Sequence, residues 1–170
     1  AHFRPTSKCV TLLRALLDDG GDKAFLVTAP YGTGKSLTTA YLLHLIENRD
    51  ESRQALSDIE KRLAEVSPEL AGLASSRRRN RRRHGIAIAL QGAHEHVPGA
   101  IKAAALEAMR RLRLGRQARR LQSIEVHTLD DALYFLKDLT ELCNEIGLDR
   151  ILLGWDEFGR HVEALVASGR

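Results

Sequence analysis

Cysteine is nearly absent. The chain of 170 residues has two, Cys9 and Cys143, far apart and in no CxxC spacing, which argues against a disulfide framework and against a thiolate zinc site. A reducing, cytoplasmic setting is the default expectation. Long apolar runs are missing as well. None approaches the ~20 residues of a membrane span, and the opening "AHFRPTSK" has no apolar core of a signal peptide, so no membrane partner is expected. Aromatic residues make up only 5%. The first residue is not Met, so the chain reads as a processed or excised piece of something longer.

What is present is enough for a folded core. Apolar residues at 44% are in the usual range for a globular domain, and this length suits one domain rather than two. The net charge of +4 conceals an asymmetry. Residues 75–120 hold thirteen Arg or Lys against two Glu, about +11, which leaves about −7 for the remainder.

Strands and helices alternate along the pattern. A helix is expected from Thr6 or Ser7, carrying Cys9, Val10, Leu12, Leu13, Leu16 and Leu17, and ending at "DDGGD". "AFLVTA" (24–29) reads as a strand buried on both faces, and 36–48 as a helix with Leu37, Ala40, Tyr41, Leu45 and Ile46 at helical spacing. Residues 51–74 look helical with a break near Pro68. "SSRRRNRRRHG" reads as a mobile loop, "IAIAL" (86–90) as a strand, and 98–114 as a helix continuing Arg-rich to Arg120. "SIEVH" (123–127) suggests a short strand. "TLDD" has the form of a capping box opening a helix over 129–146, and "RILLGW" is a last strand that closes on Asp156 and Glu157. The alternation predicts an α/β fold with a mostly parallel sheet and helices on both faces, whose ligands bind beyond the carboxyl ends of the strands.

The segment "APYGTGKS" carries the most specific chemistry. A phosphate chain needs converging backbone N–H groups, a helix N-terminus and a mobile cation. Ala29, Pro30, Tyr31, Gly32, Thr33, Gly34, Lys35, Ser36 and Leu37 are the candidate nucleotide-binding residues. Gly32 and Gly34 let the backbone approach the phosphates, Lys35 reaches the β- and γ-phosphates, and the Ser36 hydroxyl ligates Mg2+. Ala29 stands where the fingerprint has its first glycine. In "ILLGWDE", Asp156 at the strand's end is the candidate for the other side of the metal, and Glu157 can orient and deprotonate water.

"APYGTGKS" together with "ILLGWDE" resembles the Walker A and Walker B motifs of the additional-strand, catalytic-glutamate P-loop ATPases, the group containing the AAA+ and STAND families. "IAIAL" fits as the additional strand. The resemblance implies the three-layer P-loop NTPase fold, ATP and Mg2+ as ligands, Lys35, Ser36 and Asp156 on phosphate and metal, and Glu157 as catalytic base. It places "HFRP" (2–5) near the adenine. The tone of "YGTGKS" and "DEFGRHVE" is also similar to large prokaryotic ATPases, some associated with phage defence. On this reading residues 1–170 are a single ATPase domain with a helical, Arg-rich insertion at 49–85. The thirteen residues after Glu157 leave no room for a sensor strand, arginine finger or helical lid. Tight nucleotide binding with slow turnover is therefore expected, in a larger assembly or homo-oligomer that supplies the rest.

Arg77, Arg78, Arg79, Arg81, Arg82 and Arg83, with "RRLRLGRQARR" (110–120), form the only field of one sign and are candidates for nucleic-acid phosphates. No aromatic residue is interleaved, so binding would be salt-sensitive and indifferent to base sequence. The bland alternative is a solvated loop or a surface for an acidic partner. His94 and His96 flank Glu95 without further ligands at metal spacing, which reads as a loop, and Cys143 reads as core. The function expected is an Mg-ATPase driving a conformational change in a nucleic-acid-associated assembly. The alternative is an ATP-binding switch with negligible turnover.

Overall fold

The computed structural model describes residues 3, 5, 7–17, 24–28, 34–80 and 84–169. The chain divides into two compact units, 1–83 and 84–170.

The described elements of the first unit are all helices: α1 (Ser7–Leu17), α2 (Lys35–Glu47), a 3-10 turn (Asp50–Ser52), α3 (Arg53–Val66) and α4 (Pro68–Arg79). Leu56, Ile59 and Leu63 recur at helical spacing on α3 and are buried together with Leu13, Leu45 and Leu70, so the apolar stripes face inward. α1 packs on α2 and α4, and α3 packs on α2 and α4. The break expected near Pro68 falls at Ser67, whose hydroxyl accepts the Leu70 N–H at 3.5 Å while Pro68 opens α4. Proline suits that place because the N–H it lacks has no partner in a helix's first turn.

The second unit runs β1 (Gly85–Gln91), α5 (Val97–Arg111), α6 (Gly115–Gln122), α7 (Leu129–Glu145), β2 (Arg150–Asp156) and α8 (Phe158–Ala167). β1 and β2 are parallel, in register from Gly85 opposite Arg150 to Gln91 opposite Asp156. A parallel pair requires a long crossover, and α5, α6 and α7 provide it. Ile86 and Ile88 of β1, Met109 of α5 and Phe135 and Leu139 of α7 form its core. The capping box at α7 is present. Thr128 accepts the Asp131 N–H at 3.1 Å and the Asp131 carboxylate accepts the Thr128 N–H at 2.8 Å.

Several expectations are corrected. The described residues are mostly helical and hold one two-stranded sheet, not the mostly parallel, three-layer sheet of a P-loop NTPase. Residues 24–28 are exposed and in no strand; an apolar run becomes a strand only by pairing, and no described neighbour pairs with it. The "SSRRR" of the expected loop is the last turn and a half of α4. Residues 124–127 form no strand, although Val126 is buried. α8 has no counterpart in the expected pattern.

Candidate functional site

The two sequence motifs fall in different units, and each has its own local geometry. In the first unit, residues 29–33 lie outside the described residues, so the description begins at Gly34. Gly34 adopts φ 85°, ψ 15° and is the N-cap of α2. A Cβ there would meet nothing within 4 Å, so it is the left-handed backbone rather than crowding that calls for glycine. With no side chain at the cap, the first N–H groups of α2 receive no side-chain cap from that position, which is the local form of an anion receptor. Lys35 and Ser36 occupy the first turn. Lys35 is half-buried, Ser36 and Leu37 are exposed, and Thr38 beneath them is buried with its hydroxyl donated to the Gly34 carbonyl at 3.0 Å. That bond ties the turn to the helix.

Phe3, in the segment expected near adenine, is buried and packs its ring on Tyr41, with centroids 5.7 Å apart. It serves the unit's own core. Burial, with the Glu60 carboxylate next, pushes the Tyr41 hydroxyl well above the usual tyrosine range.

In the second unit the carboxylates stand where the sequence put them. β2 ends at Asp156. Its carbonyl accepts the Gly92 N–H at 3.0 Å, and its Oδ1 accepts the Glu157 N–H at 3.0 Å. Oδ2 has no partner among the described residues. Glu157 takes a left-handed conformation, φ 56° and ψ 32°, as the N-cap of α8. Such a backbone is unfavourable for a side-chain-bearing residue and is held by its surroundings. Those surroundings are specific. Trp155 donates its indole N–H to the Gly92 carbonyl at 2.9 Å and packs against His94, Phe158 and His161. Arg160, one turn into α8, brings Nη1 to 3.3 Å from Glu157 Oε2. Sequence reasoning named the carboxylates and missed this aromatic and guanidinium shell; the "W" before and "FGRH" after "DE" were its signal.

The His-x-His motif resolves into structure. His96 Nδ1 accepts the Gly99 N–H at 3.1 Å and so caps α5, which leaves Nε2 to donate to the His127 carbonyl at 2.9 Å, just before α7. Among the described residues no cluster of His, Cys, Asp or Glu is built to hold a metal on its own. Cys143 is core, its thiol pushed up to about 11 by burial.

The arginines are divided. Arg77 is 5% exposed, and Arg78 makes a bidentate pair with Glu60 of α3 at 2.7 and 2.9 Å. That hydrogen bonding raises the Arg78 guanidinium further. Arg79 is exposed, and Arg81, Arg82 and Arg83 lie outside the described residues. Two of the six candidates for nucleic-acid binding are thus turned to the interior of their own unit.

No family model matches the chain, and no curated protein or solved structure matches it. No described helix is long and apolar enough to cross a membrane.

Proposed function

We propose that the chain is an Mg-ATP-binding and hydrolysing core that drives a conformational change in a larger, nucleic-acid-associated assembly in the cytoplasm. The observation that carries the reading is the opening of α2: a left-handed Gly34 at an uncapped helix N-terminus, followed at once by Lys35 and Ser36. That succession is what a terminal phosphate requires, with backbone donors and helix dipole at the turn and a cation on the first residue. The second support is Asp156 and Glu157 side by side at the carboxyl end of the parallel strand β2.

The oxygens on offer fit magnesium. In the first unit Ser36 presents an exposed hydroxyl, and in the second Asp156 presents a carboxylate at the end of β2; each is by itself the kind of hard donor this ion takes alongside water. An ion held with the nucleotide would neutralise charge on the phosphates. Lys35 holds the terminal phosphate. Glu157 accepts the proton of a water whose oxygen attacks the terminal phosphorus, and the bond to the bridging oxygen breaks to release ADP.

The ion pair between Arg160 and Glu157 favours a second reading. On this reading the pair gives Glu157 a structural role at the turn, and the chain acts as an ATP-dependent switch or oligomerisation module with negligible turnover of its own. Steady-state Mg-ATP hydrolysis and direct ATP binding by wild type, Lys35→Ala and Glu157→Gln separate the two. The hydrolytic reading expects turnover in the wild type only, with binding kept by Glu157→Gln and lost by Lys35→Ala. The switch expects the same binding pattern with no turnover. ATP binding absent from the wild type, or unchanged in Lys35→Ala, overturns both.

A further inference from the structure

Between residues 108 and 124 the chain carries six arginines and no carboxylate. The fold sorts them. Arg110 pairs with Glu107 at 3.0 Å, Arg120 pairs with Glu145 of α7 at 3.0 Å, and Arg111 donates to the Ala87 carbonyl at 2.8 Å. Arg113, Arg116 and Arg119 are exposed, and among the described residues no carboxylate pairs with them. On α6 the buried residues are Ala118 and Leu121. At 100° per residue, Arg116, Arg119 and Arg120 fall within about 100° of arc on the opposite side. Arg113 stands one turn earlier in the α5–α6 connection, itself left-handed at φ 61°.

We infer that the outer face of α6, with Arg113, Arg116 and Arg119, is the surface that binds the phosphate backbone of duplex nucleic acid. This rests on the nucleic-acid half of the proposed function and not on the nucleotide site. Three features select that partner. The exposed residues at 113, 115, 116, 119, 120, 122 and 123 include no apolar anchor, whereas a protein interface is centred on one. A membrane-surface helix inserts an apolar face, and α6 has spent its apolar residues on the core of its own unit. Guanidinium forks match phosphate oxygens in pairs, and Arg116 and Arg119 are roughly 4.5 Å apart along the axis, against one phosphate per about 3.4 Å of each strand. Nothing on this face stacks on or reads a base, so the binding is indifferent to sequence.

The test is fluorescence anisotropy of a labelled DNA duplex of about 30 base pairs at 50–200 mM salt, with full-length wild type, the triple variant Arg113→Gln, Arg116→Gln, Arg119→Gln, and Glu145→Gln. Far-UV circular dichroism checks folding, and phosphatidylserine vesicles serve as a parallel probe. The wild type is expected to bind at 50 mM salt. The triple variant weakens binding at least about tenfold, and its salt slope is shallower by about 2.7, at about 0.9 for each phosphate no longer neutralised. Glu145→Gln frees Arg120 and steepens the slope by about 0.9; it decides the matter even if the triple variant fails to fold. Duplex binding that neither variant changes overturns this surface and leaves the nucleic-acid reading in place. No wild-type binding to the duplex, with or without binding to vesicles, overturns both.

Discussion

The two arginine-rich helices α4 and α6 carry three arginines each and put them to opposite uses. In α4, Arg78 finds Glu60 of the neighbouring α3, a carboxylate whose side chain is 7% exposed, and the pair closes at 2.7 Å. The Asn48 amide, at the end of α2, donates to the Arg78 carbonyl at 2.7 Å and ties three helices at one point. In α6 and the end of α5 that leads into it, the neighbouring carboxylates are few and exposed. Glu107 and Glu145 engage Arg110 and Arg120, and Arg113, Arg116 and Arg119 are left facing outward. Charge density in a sequence therefore says how much field there is, but the acidic residues of adjacent helices decide whether that field is used for folding or presented to a partner.

The largest way to break this contrast is at the buried pair. Glu60→Ala leaves the Arg78 guanidinium desolvated without its counter-charge and is expected to destabilise the first unit by about 3 kcal/mol. Urea unfolding followed by far-UV circular dichroism measures it, while fluorescence of Trp155, the single tryptophan, follows the second unit. A loss below about 1 kcal/mol would show that the pair is as weak as a surface one. Leu121→Ala comes next. Leu121 anchors α6 to the core at 5% exposure, and its truncation is expected to cost about 2–3 kcal/mol. The loss should appear in the Trp155 transition. Because the anchor also holds the arginine face in place, duplex binding falls with it at temperatures where the rest of the unit stays folded.

Smaller still is the cap of α7, the helix that carries Glu145. Thr128→Ala is expected to cost about 1 kcal/mol. Its pH dependence has a definite sign. Hydrogen bonds from the Thr128 and His127 backbone hold the Asp131 carboxyl below its ordinary value of 3.8. The folded value lies below the unfolded one, so this contribution is complete above the unfolded value and is lost as the pH falls through the folded one. Urea midpoints of wild type and Asp131→Asn should therefore converge in acid and differ near neutrality.

Much of this was legible in the sequence, and the parts that were not share a cause. α2, α5, α7 and both strands follow from local pattern: apolar periodicity, a capping box, and a continuous apolar run between turn residues. Asp156 and Glu157 lie at a strand end because "ILLGW" is such a run. The failures lie where structure depends on distant partners. "AFLVT" has every property of a strand except a neighbour among the described residues. "SSRRR" reads as a loop because arginine is polar, yet arginine is also a good helix former, and the Glu60 carboxylate of the preceding helix stabilises it there. Glu157's left-handed backbone could not be inferred from its type, since few residues with a side chain adopt it; it depends on the packing of Trp155, Phe158 and His161 around the turn.

The smallest expected effect is the one that isolates the comparison. Arg78→Gln and Arg116→Gln make the same chemical change on two helices that carry three arginines each. The first leaves Glu60 buried and uncompensated and should cost several kcal/mol, as breaking a buried pair does. The second removes a charge that no described carboxylate meets and should change stability by less than about 0.5 kcal/mol. Any shift in the second case should be a slight stabilisation, because Arg113 and Arg119 are near and of like charge. Parallel urea titrations of the two variants measure the difference directly. Equal losses would mean that α6's arginines are held by interactions within the fold, and the distinction between an interior cluster and a presented one would fail at its simplest point.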